Sequence, residues 1–492
     1  MNKIIKQILG NKYVEYILLS MIILLGFIVR LYKINNPIAD WHSWRQADTA
    51  SVSKTYLDYG IKLLFPRYQD ISSIQTGYLN PQGYRFVEFP IFNALHVILF
   101  KIQNVLSFDA TGRMLSILCA LVSSYFLFKI GKKFLGRWGG LLTSFFFLFL
   151  PYNIYFTRVI LPEPMGTSFA LIAVWLFLVF LENEKKLNLY FSGVFFALAA
   201  LIKPFTLFYS IPLIYLLLQK YSFKYKDILR NPKVIIPLLV FANIVLNPLL
   251  LWRVWMNKYF EGIPFFTWAF NGDKIRFRPA FWYWIFGERI GKLILGCWGL
   301  IPLIFGVVSS SKKKVFNVLF FLGMILYTVV VATANVRHDY YQIFLIPSIS
   351  LLLAQGTLYL WENKNFNKII SRIVIVFSVC TMFLVSLFQV KEFYKINHPE
   401  LMEAGNAVKR LTPEDSLVIA PYNGDTAFLY QTGRWGWPAI DSSLDKIIQR
   451  GADYFVSVNF ADKDTIEAIS RFETVEKTPT YIILDLHKPI TK

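Results

Sequence analysis

The first cluster of residues whose types suit catalysis lies in the segment ADWHSWRQADT (residues 39–49), shortly after the first long apolar run. On a helix through this segment, one face carries His42, Arg45, Asp48 and Thr49, because residues three and four positions apart are neighbours. A carboxylate held beside a cation in this way can act as a general base toward a hydroxyl group. The alternative is a surface salt bridge between Arg45 and Asp48, with the two tryptophans at the membrane interface.

A second group of polar residues interrupts apolar sequence further along the chain. In YFTRVILPEP, Arg158 and Glu163 flank an apolar bend, and Pro164 breaks the helix beside the carboxylate. This pattern predicts that Glu163 lies at a turn at the membrane surface. Lys203 lies within the apolar stretch ALAALIKPFTLFYS. The alternatives are an acid that stabilises a helix start for Glu163 and a snorkelling side chain for Lys203.

A third group, in ATANVRHDYYQIFLIP, brings Arg337, His338 and Tyr341 to the end of another apolar run. An unpaired charge in a medium of low dielectric constant is costly, so ionisable groups at a membrane need a partner or a function. The three groups together supply two carboxylates and at least three cations or donors, namely Asp48, Glu163, Lys203, Arg337 and His338. That combination is typical of a site that binds a lipid phosphate and deprotonates an acceptor.

The composition places these groups in a membrane protein. Apolar residues make up 55% of the 492 residues and charged residues 17%, which is too apolar for soluble domains. Apolar runs of about 18 to 24 residues, long enough to cross the hydrocarbon core, recur from Val14 to about residue 390. We expect about eleven to thirteen transmembrane helices, the first of them an uncleaved span. The net charge of +20 comes from lysines in short loops, which indicates topology rather than nucleic-acid binding.

Basic clusters orient the chain. Between successive pairs of apolar segments lie residues 185–186, 220–233, 312–314 and 364–372, rich in lysine and arginine. Such clusters favour the cytoplasmic side. The outward-facing parts are then 34–87, the segment around Glu163, Lys203, 254–285, 337–341 and everything after about 391. The basic residues between 129 and 137 must also lie inside, so we interpret the short segment 88–104 as interfacial or partly inserted.

Two domains are expected. A transmembrane domain covers residues 1–390, with outer loops at 34–87 and 254–285, and an extracytoplasmic domain covers 391–492. A helical segment at 44–59 carries charged and aromatic residues that suit the membrane surface. The tail alternates helix-like and strand-like segments. The predicted fold class is a polytopic α-helical membrane protein with a large first outer loop and a small C-terminal α/β extracytoplasmic domain.

Features between about residues 110 and 205 carry a resemblance to a known family. They are Arg113 at the start of a span, a basic loop, the acid of RVILPEP and the sequence ALIKP. This stretch resembles the bacterial protein O-mannosyltransferase and aminoarabinose-transferase group of the type C glycosyltransferases. The resemblance implies a polyprenyl-phosphate sugar donor, a base on the first outer loop and a supporting acid on the second. Glu163 matches the second-loop acid, Lys203 the lysine after the next hairpin, and HDYY at 338–341 the late outer motif.

The first outer loop departs from the family pattern. An Asp-Glu pair usually stands about three residues before an arginine and a tyrosine, and alignment on Arg45 puts His42 and Ser43 at those positions. Two aspartates are available, Asp40 just before and Asp48 one helical turn after. Asp48 is favoured as the base because it shares a helix face with Arg45 and His42, and Asp40 is the second candidate.

The sequence therefore predicts a hexosyl- or pentosyltransferase that moves a sugar, with inversion, from a polyprenyl-phosphate carrier to an exported protein, lipid or glycan. The active site would face outward from the plasma (inner) membrane. Asp48 would serve as base, and Glu163 would orient acceptor or sugar. The predicted substrate-binding residues are His42, Arg45, Arg158, Lys203, Arg337, His338 and Tyr341.

Two other classes of protein are weighed against this prediction. A transporter or lipid-linked-glycan flippase would place charges in the middle of spans and repeat its topology, and neither feature is evident. A non-catalytic scaffold would use the outer acids as helix caps. The three cysteines lie inside apolar runs without metal-ligand spacing, so no metal site is assigned, and a divalent cation joining the two acids stays open.

Overall fold

The structure is a computed structural model that describes residues 12–272, 274–309, 311 and 314–490. Within these ranges the chain is mostly helical. The helices of its first half are α1 (Lys12–Arg30), α2 (Ser43–Tyr59), α3 (Ile91–Ile102), α4 (Phe108–Phe149), α5 (Pro151–Phe156), α6 (Glu163–Asn183), α7 (Lys186–Ile202), α8 (Ile211–Lys220), α9 (Tyr225–Arg230) and α10 (Pro232–Met256).

Shorter elements separate the helices of the second half. These helices are α11 (Trp268–Asn271), α12 (Pro279–Trp282), α13 (Leu300–Val308), α14 (Val315–Val330), α15 (Ala332–Arg337), α16 (Ile346–Glu362) and α17 (Lys368–Val390). A π-helix covers Tyr283–Ile294, and two 3₁₀ segments that matter for the site cover Pro204–Ser210 and Asp339–Leu345.

The C-terminal residues form an α/β domain. Its elements are α18 (Glu400–Leu411), β1 (Leu417–Ile419), α19 (Thr426–Thr432), β2 (Trp435–Trp437), α20 (Leu444–Gln449), β3 (Tyr454–Ser457), α21 (Lys463–Arg471), β4 (Phe472–Lys477) and β5 (Ile482–Pro489). The strand order is β2-β1-β3-β5-β4; β1 pairs in parallel with β2 and β3, and β5 pairs antiparallel with β3 and β4. Because successive side chains point to opposite faces, Val418 packs with helices α18 and α19 and Ile419 with helices α20 and α21.

Six helical segments of the described residues are long and apolar enough to cross a membrane: Tyr13–Arg30, Phe108–Phe149, Glu163–Asn183, Pro232–Met256, Asp339–Glu362 and Lys368–Tyr394. Shorter apolar helices are α3, α7 and α14. With the small C-terminal sheet, these helices confirm the predicted fold class of a multi-pass α-helical membrane protein with an α/β domain. The number of eleven to thirteen spans stays a prediction.

Helix α4 is twice as long as a membrane span requires. Its 42 residues would extend about 63 Å, but Gly136 adopts a left-handed conformation with φ of 77° and breaks it into two helices. Lys132 and Lys133 lie four and three residues before this break. Helix α3, with 12 residues, is only about 18 Å long and too short to cross a bilayer.

The chain divides into two compact units, and each is described by itself. Unit 1 contains residues 12–34, 116–252 and 266–392, apart from those outside the described ranges, and unit 2 contains 35–115, 253–265 and 393–490. The first outer loop and the C-terminal α/β domain thus belong to one compact body. Sequence patterning predicts a boundary between them at residue 391, because contacts between residues far apart in the chain leave no local pattern.

Helix α2 confirms the helix predicted at 44–59 but not its placement along the membrane surface. It is buried almost continuously from Arg45 to Tyr56 and packs against α3 and α19 within unit 2. Small side chains such as Ala47 and Ala50 allow this close packing. The polar residues of α2 therefore lie in the interior of unit 2.

Helices α6 and α7 form a hairpin in unit 1. Because they run antiparallel, the first residue of α6, Glu163, and the residue after α7, Lys203, lie at the same end. At the other end, one cleft is lined by Lys133, Glu182 and Lys220 from three different helices. The basic clusters predicted to share one side of the membrane thus include residues that meet in space.

Candidate active site

Asp48 is the central acid of unit 2. Its side chain, on α2, is 1% exposed. Oδ2 is paired with the guanidinium of Arg85, and Oδ1 accepts a hydrogen bond of 2.7 Å from the hydroxyl of Thr426. Arg85 thus compensates the charge of Asp48, while Thr426 fixes the orientation of the carboxylate. Neither partner is evident from the sequence, because Arg85 lies in an irregular loop and Thr426 lies about 380 residues away.

The predicted Arg45–Asp48 interaction is wrong. Arg45 instead donates to Glu88 across 2.7 Å, and both side chains are buried. His42 is not on the helix face either, because it precedes α2 in a left-handed conformation with φ of 56°. Its ring packs edge-on against Trp41 at 5.2 Å between centroids. Helical spacing makes the Arg45–Asp48 pair possible, but both residues pair with residues of the loop that follows α2.

Asp40, the second candidate base, is buried near the start of α2. Its Oδ1 accepts a hydrogen bond of 2.7 Å from the amide of Gln46, and its Oδ2 lies 3.8 Å from the guanidinium of Arg113. Arg113 also donates to the backbone carbonyls of Asn36 and Pro37. The arginine that opens the span in the sequence therefore holds the segment that carries Asp40.

A polar cleft lies beside Asp48. Its walls include two carboxylates and two guanidinium groups, from Asp48, Glu88, Arg45 and Arg85. The space between these groups has room for about one water molecule. Paired acids and cations at a cleft can accept a proton from one group and neutralise an anion with another.

Two further acids lie close to Asp48. Burial and the negative charge of Asp48 raise the pKa of Asp70 to about 6, although hydrogen bonds from Ser72 and Tyr68 oppose this shift. Burial, together with the charge of Asp48, also raises the pKa of Asp425 to about 6. Asp48 therefore lies among carboxyl groups that bind protons near neutral pH.

In unit 1, Glu163 forms a buried ion pair with Lys203. Glu163 begins α6, and the ammonium group of Lys203 lies 3.3 Å from its Oε1. Lys203 also lies over the ring of Tyr341, 6.0 Å from the centroid. Three residues predicted from separate sequence motifs thus meet in one place. The buried ammonium group of Lys203 is a desolvated cation that can bind an anion such as a phosphate.

The late motif is organised around aromatic rings. Arg337 is exposed and lies 5.7 Å from the ring centroid of Trp268, which also packs against His338. Tyr340 and Tyr341 stack with centroids 4.6 Å apart. The motif therefore presents cationic and aromatic groups together.

Two further arginines of unit 1, Arg289 and Arg158, have defined partners. Arg289, in the π-helix, lies 3.5 Å from the carboxylate of Asp339, and sequence reasoning missed it because no regular spacing points to it. Arg158, predicted to bind substrate, is fully buried and donates to the backbone carbonyl of Lys33. Its part in substrate binding stays a prediction.

Among the residues that the structure describes, no group of three or more His, Cys, Asp or Glu side chains could hold a metal ion. The acids Asp48 and Asp40 instead have arginine partners.

Residues 89–252 match the family model of the dolichyl-phosphate-mannose-protein mannosyltransferases. A search of the curated proteins with the whole sequence found no significant match.

Among solved structures, ArnT from Cupriavidus metallidurans bound to undecaprenyl phosphate superimposes with a TM-score of 0.65 at 12% identity, covering 96% of this chain and 98% of ArnT. The oligosaccharyltransferase AglB from Archaeoglobus fulgidus, in complex with an inhibitory peptide and a dolichol-phosphate, gives a TM-score of 0.58 at 10% identity over 96% of this chain and 74% of AglB. The protein has the fold of these type C glycosyltransferases, and the resemblance predicted from the sequence is confirmed.

Proposed function

We propose that the protein is a membrane glycosyltransferase that moves a sugar from a polyprenyl-phosphate carrier to an exported acceptor. The observation that carries the proposal is the fold shared with ArnT over nearly the full length of both chains. The structures of ArnT and AglB contain undecaprenyl phosphate and dolichol-phosphate respectively, which supports a lipid-phosphate donor. The match of residues 89–252 to the mannosyltransferase family model points the same way.

The proposed reaction is an inverting displacement at the anomeric carbon. The acceptor hydroxyl oxygen bonds to this carbon while the bond to the phosphate oxygen breaks, and its electron pair leaves with the phosphate. The acceptor proton passes to a carboxylate. A phosphate leaving group is a weak base and needs no general acid, so the protein must supply one base and enough positive charge for the phosphate.

In this proposal Asp48 is the general base. Arg85 stabilises its negative charge, and Thr426 fixes Oδ1 from the other side. The cleft beside Asp48 supplies two cationic groups, Arg45 and Arg85, next to the carboxylate. Asp40 is the second candidate for the base, and its contact to Arg113 is longer at 3.8 Å.

Within unit 1, the proposed task of Lys203 is to bind a lipid phosphate. Lys203 is a buried cation paired with Glu163. A phosphate can replace this glutamate as the partner, because carboxylates and phosphates both bind lysine through charge-assisted hydrogen bonds. Arg337 and His338, together with Tyr341, add cationic and hydrogen-bonding groups around it. We place these residues on the outer face of the plasma (inner) membrane, on the basis of the basic clusters at the opposite helix ends.

The sugar and the acceptor can be identified by mass spectrometry of a deletion strain. If the proposal holds, loss of the gene leads to accumulation of one polyprenyl-phosphate sugar and to loss of that sugar from a surface glycan, lipid or protein. Complementation with wild-type protein restores both. An unchanged profile of lipid-linked sugars and surface glycans would contradict the proposal.

A further inference from the structure

Helix α19 of the C-terminal domain contacts three separate parts of the first outer loop and its flanks, all within unit 2. The hydroxyl of Thr426 donates to Asp48 at 2.7 Å, and that of Tyr430 to Asp109 at 2.6 Å. The amide of Gln431 donates to the carbonyl of Ile38 at 3.0 Å. All three side chains come from fewer than two turns of one helix.

The sequence around α19 makes it a firm support. Asp425 caps its N-terminus by accepting a hydrogen bond of 2.7 Å from the amide of Ala427, and Gly433 ends it in a left-handed conformation with φ of 65°. Phe428 and Leu429 anchor α19 in the apolar core on one face of the sheet. The helix also connects the parallel strands β1 and β2, so both of its ends are fixed by the sheet.

The three contacts reach both candidate bases. Thr426 binds Asp48 directly, and Gln431 holds the backbone two residues before Asp40. Asp109, the partner of Tyr430, lies one turn before Arg113 on α4, and Arg113 lies 3.8 Å from Asp40. Whichever aspartate removes the proton, α19 restrains its position.

We infer that α19 of the C-terminal domain positions the acids of the first outer loop for catalysis, with Thr426, Tyr430 and Gln431 as positioning residues. This inference rests on the proposed function. It gives the C-terminal domain a task in the transfer step itself. Misplacing a reacting group by about 1 Å can lower the rate about a hundredfold. Three hydrogen bonds from one helix are therefore sufficient to influence the rate through the position of the loop acids.

The test uses Thr426→Val, which removes the hydroxyl at nearly constant volume, and Thr426→Ser, which restores it. The assay follows release of undecaprenyl phosphate from an undecaprenyl-phosphate sugar in membranes of the deletion strain, which contain the natural acceptor. Thr426→Val should lower kcat about ten- to a hundredfold and leave KM for the donor within about twofold. Thr426→Ser should recover most of kcat. Tyr430→Phe provides a second, independent variant.

Thr432→Val is the matched control. Thr432 lies on the same helix and is also buried. Its hydroxyl donates to the backbone carbonyl of Leu429 at 2.6 Å and accepts from the backbone amide of Arg434 at 3.2 Å, so its loss perturbs α19 without touching the loop. This control should keep kcat. If Thr426→Val and Tyr430→Phe both keep wild-type kcat while Asp48→Asn or Asp40→Asn abolishes transfer, the inference is wrong and the proposed function stands.

Hydrogen exchange separates the inference from the proposed function. Thr426→Val should speed amide exchange in residues 43–59 relative to wild type and to Thr432→Val, without change in residues 454–489. This result can be obtained even if the wild-type protein transfers no sugar from any undecaprenyl-phosphate donor, an outcome that would overturn the proposed function. Unchanged exchange in residues 43–59 would overturn the inference.

Discussion

The ammonium group of Lys203 lies 3.3 Å from the carboxylate of Glu163, and both side chains are buried. Two residues from separate motifs of the sequence, forty positions apart, therefore form one ion pair at the end of a helix hairpin. A buried pair of this kind costs desolvation free energy, so its presence needs a reason beyond stability. Under the proposed function, exchange of the glutamate for a phosphate provides one.

We predict that Lys203→Met lowers both stability and affinity for undecaprenyl phosphate. Removal of the cation leaves the buried carboxylate of Glu163 uncompensated, at a cost of about 3 to 5 kcal/mol. Lys203→Met combined with Glu163→Gln should restore the melting temperature, because no charge is then left. Affinity should stay about ten- to a hundredfold lower in both variants, as measured by binding in detergent. Recovery of affinity in the double variant would show that Lys203 serves the fold only.

Stability should depend on pH through Asp70. Its pKa of about 6 lies above the ordinary value of 3.8, so the folded state binds the proton more tightly than the unfolded state. The stability contributed by this group is complete below pH of about 4 and is lost as pH rises through about 6. Asp70→Asn should therefore raise the melting temperature by about 2 to 4 °C at pH 8, and by little at pH 4. The exposed Asp58→Asn is the control; an equal change in both variants would contradict this explanation.

The orientation of the chain gives another prediction. A reporter that is active only in the cytoplasm should be silent when fused after the C-terminal domain and active when fused after the basic cluster at 220–233, because lysine-rich loops stay inside. Activity at the C-terminus would place Asp48 and the α/β domain on the cytoplasmic side. The acceptor could then not be an exported molecule.

The sequence was sufficient for features that depend on local pattern. Apolar runs predicted the multi-pass architecture, and helical spacing predicted α2. Alternating segments predicted the α/β domain but missed α19, although Asp425 and Gly433 are typical residues for the start and end of a helix. At seven residues, α19 is too short to show a hydrophobic period.

The partners of Asp48 could not be predicted in the same way. Arg85 lies in a loop without helix or strand periodicity, and Thr426 is brought to Asp48 only by the packing of the C-terminal domain in unit 2. Three-residue spacing predicts a pair of Arg45 with Asp48, but Arg45 pairs with Glu88. Contacts between distant parts of a chain leave no local pattern in a single sequence.

The role of Asp48 as general base is tested most directly by comparing Asp48→Asn with Asp40→Asn in the undecaprenyl-phosphate sugar assay. Both changes keep the shape of the side chain and remove its charge. Loss of a general base typically lowers the rate by about 10² to 10⁴, so Asp48→Asn should fall by that amount with donor binding retained, and Asp40→Asn should fall far less. Wild-type transfer by Asp48→Asn together with loss of transfer in Asp40→Asn would contradict the assignment and identify Asp40 as the base.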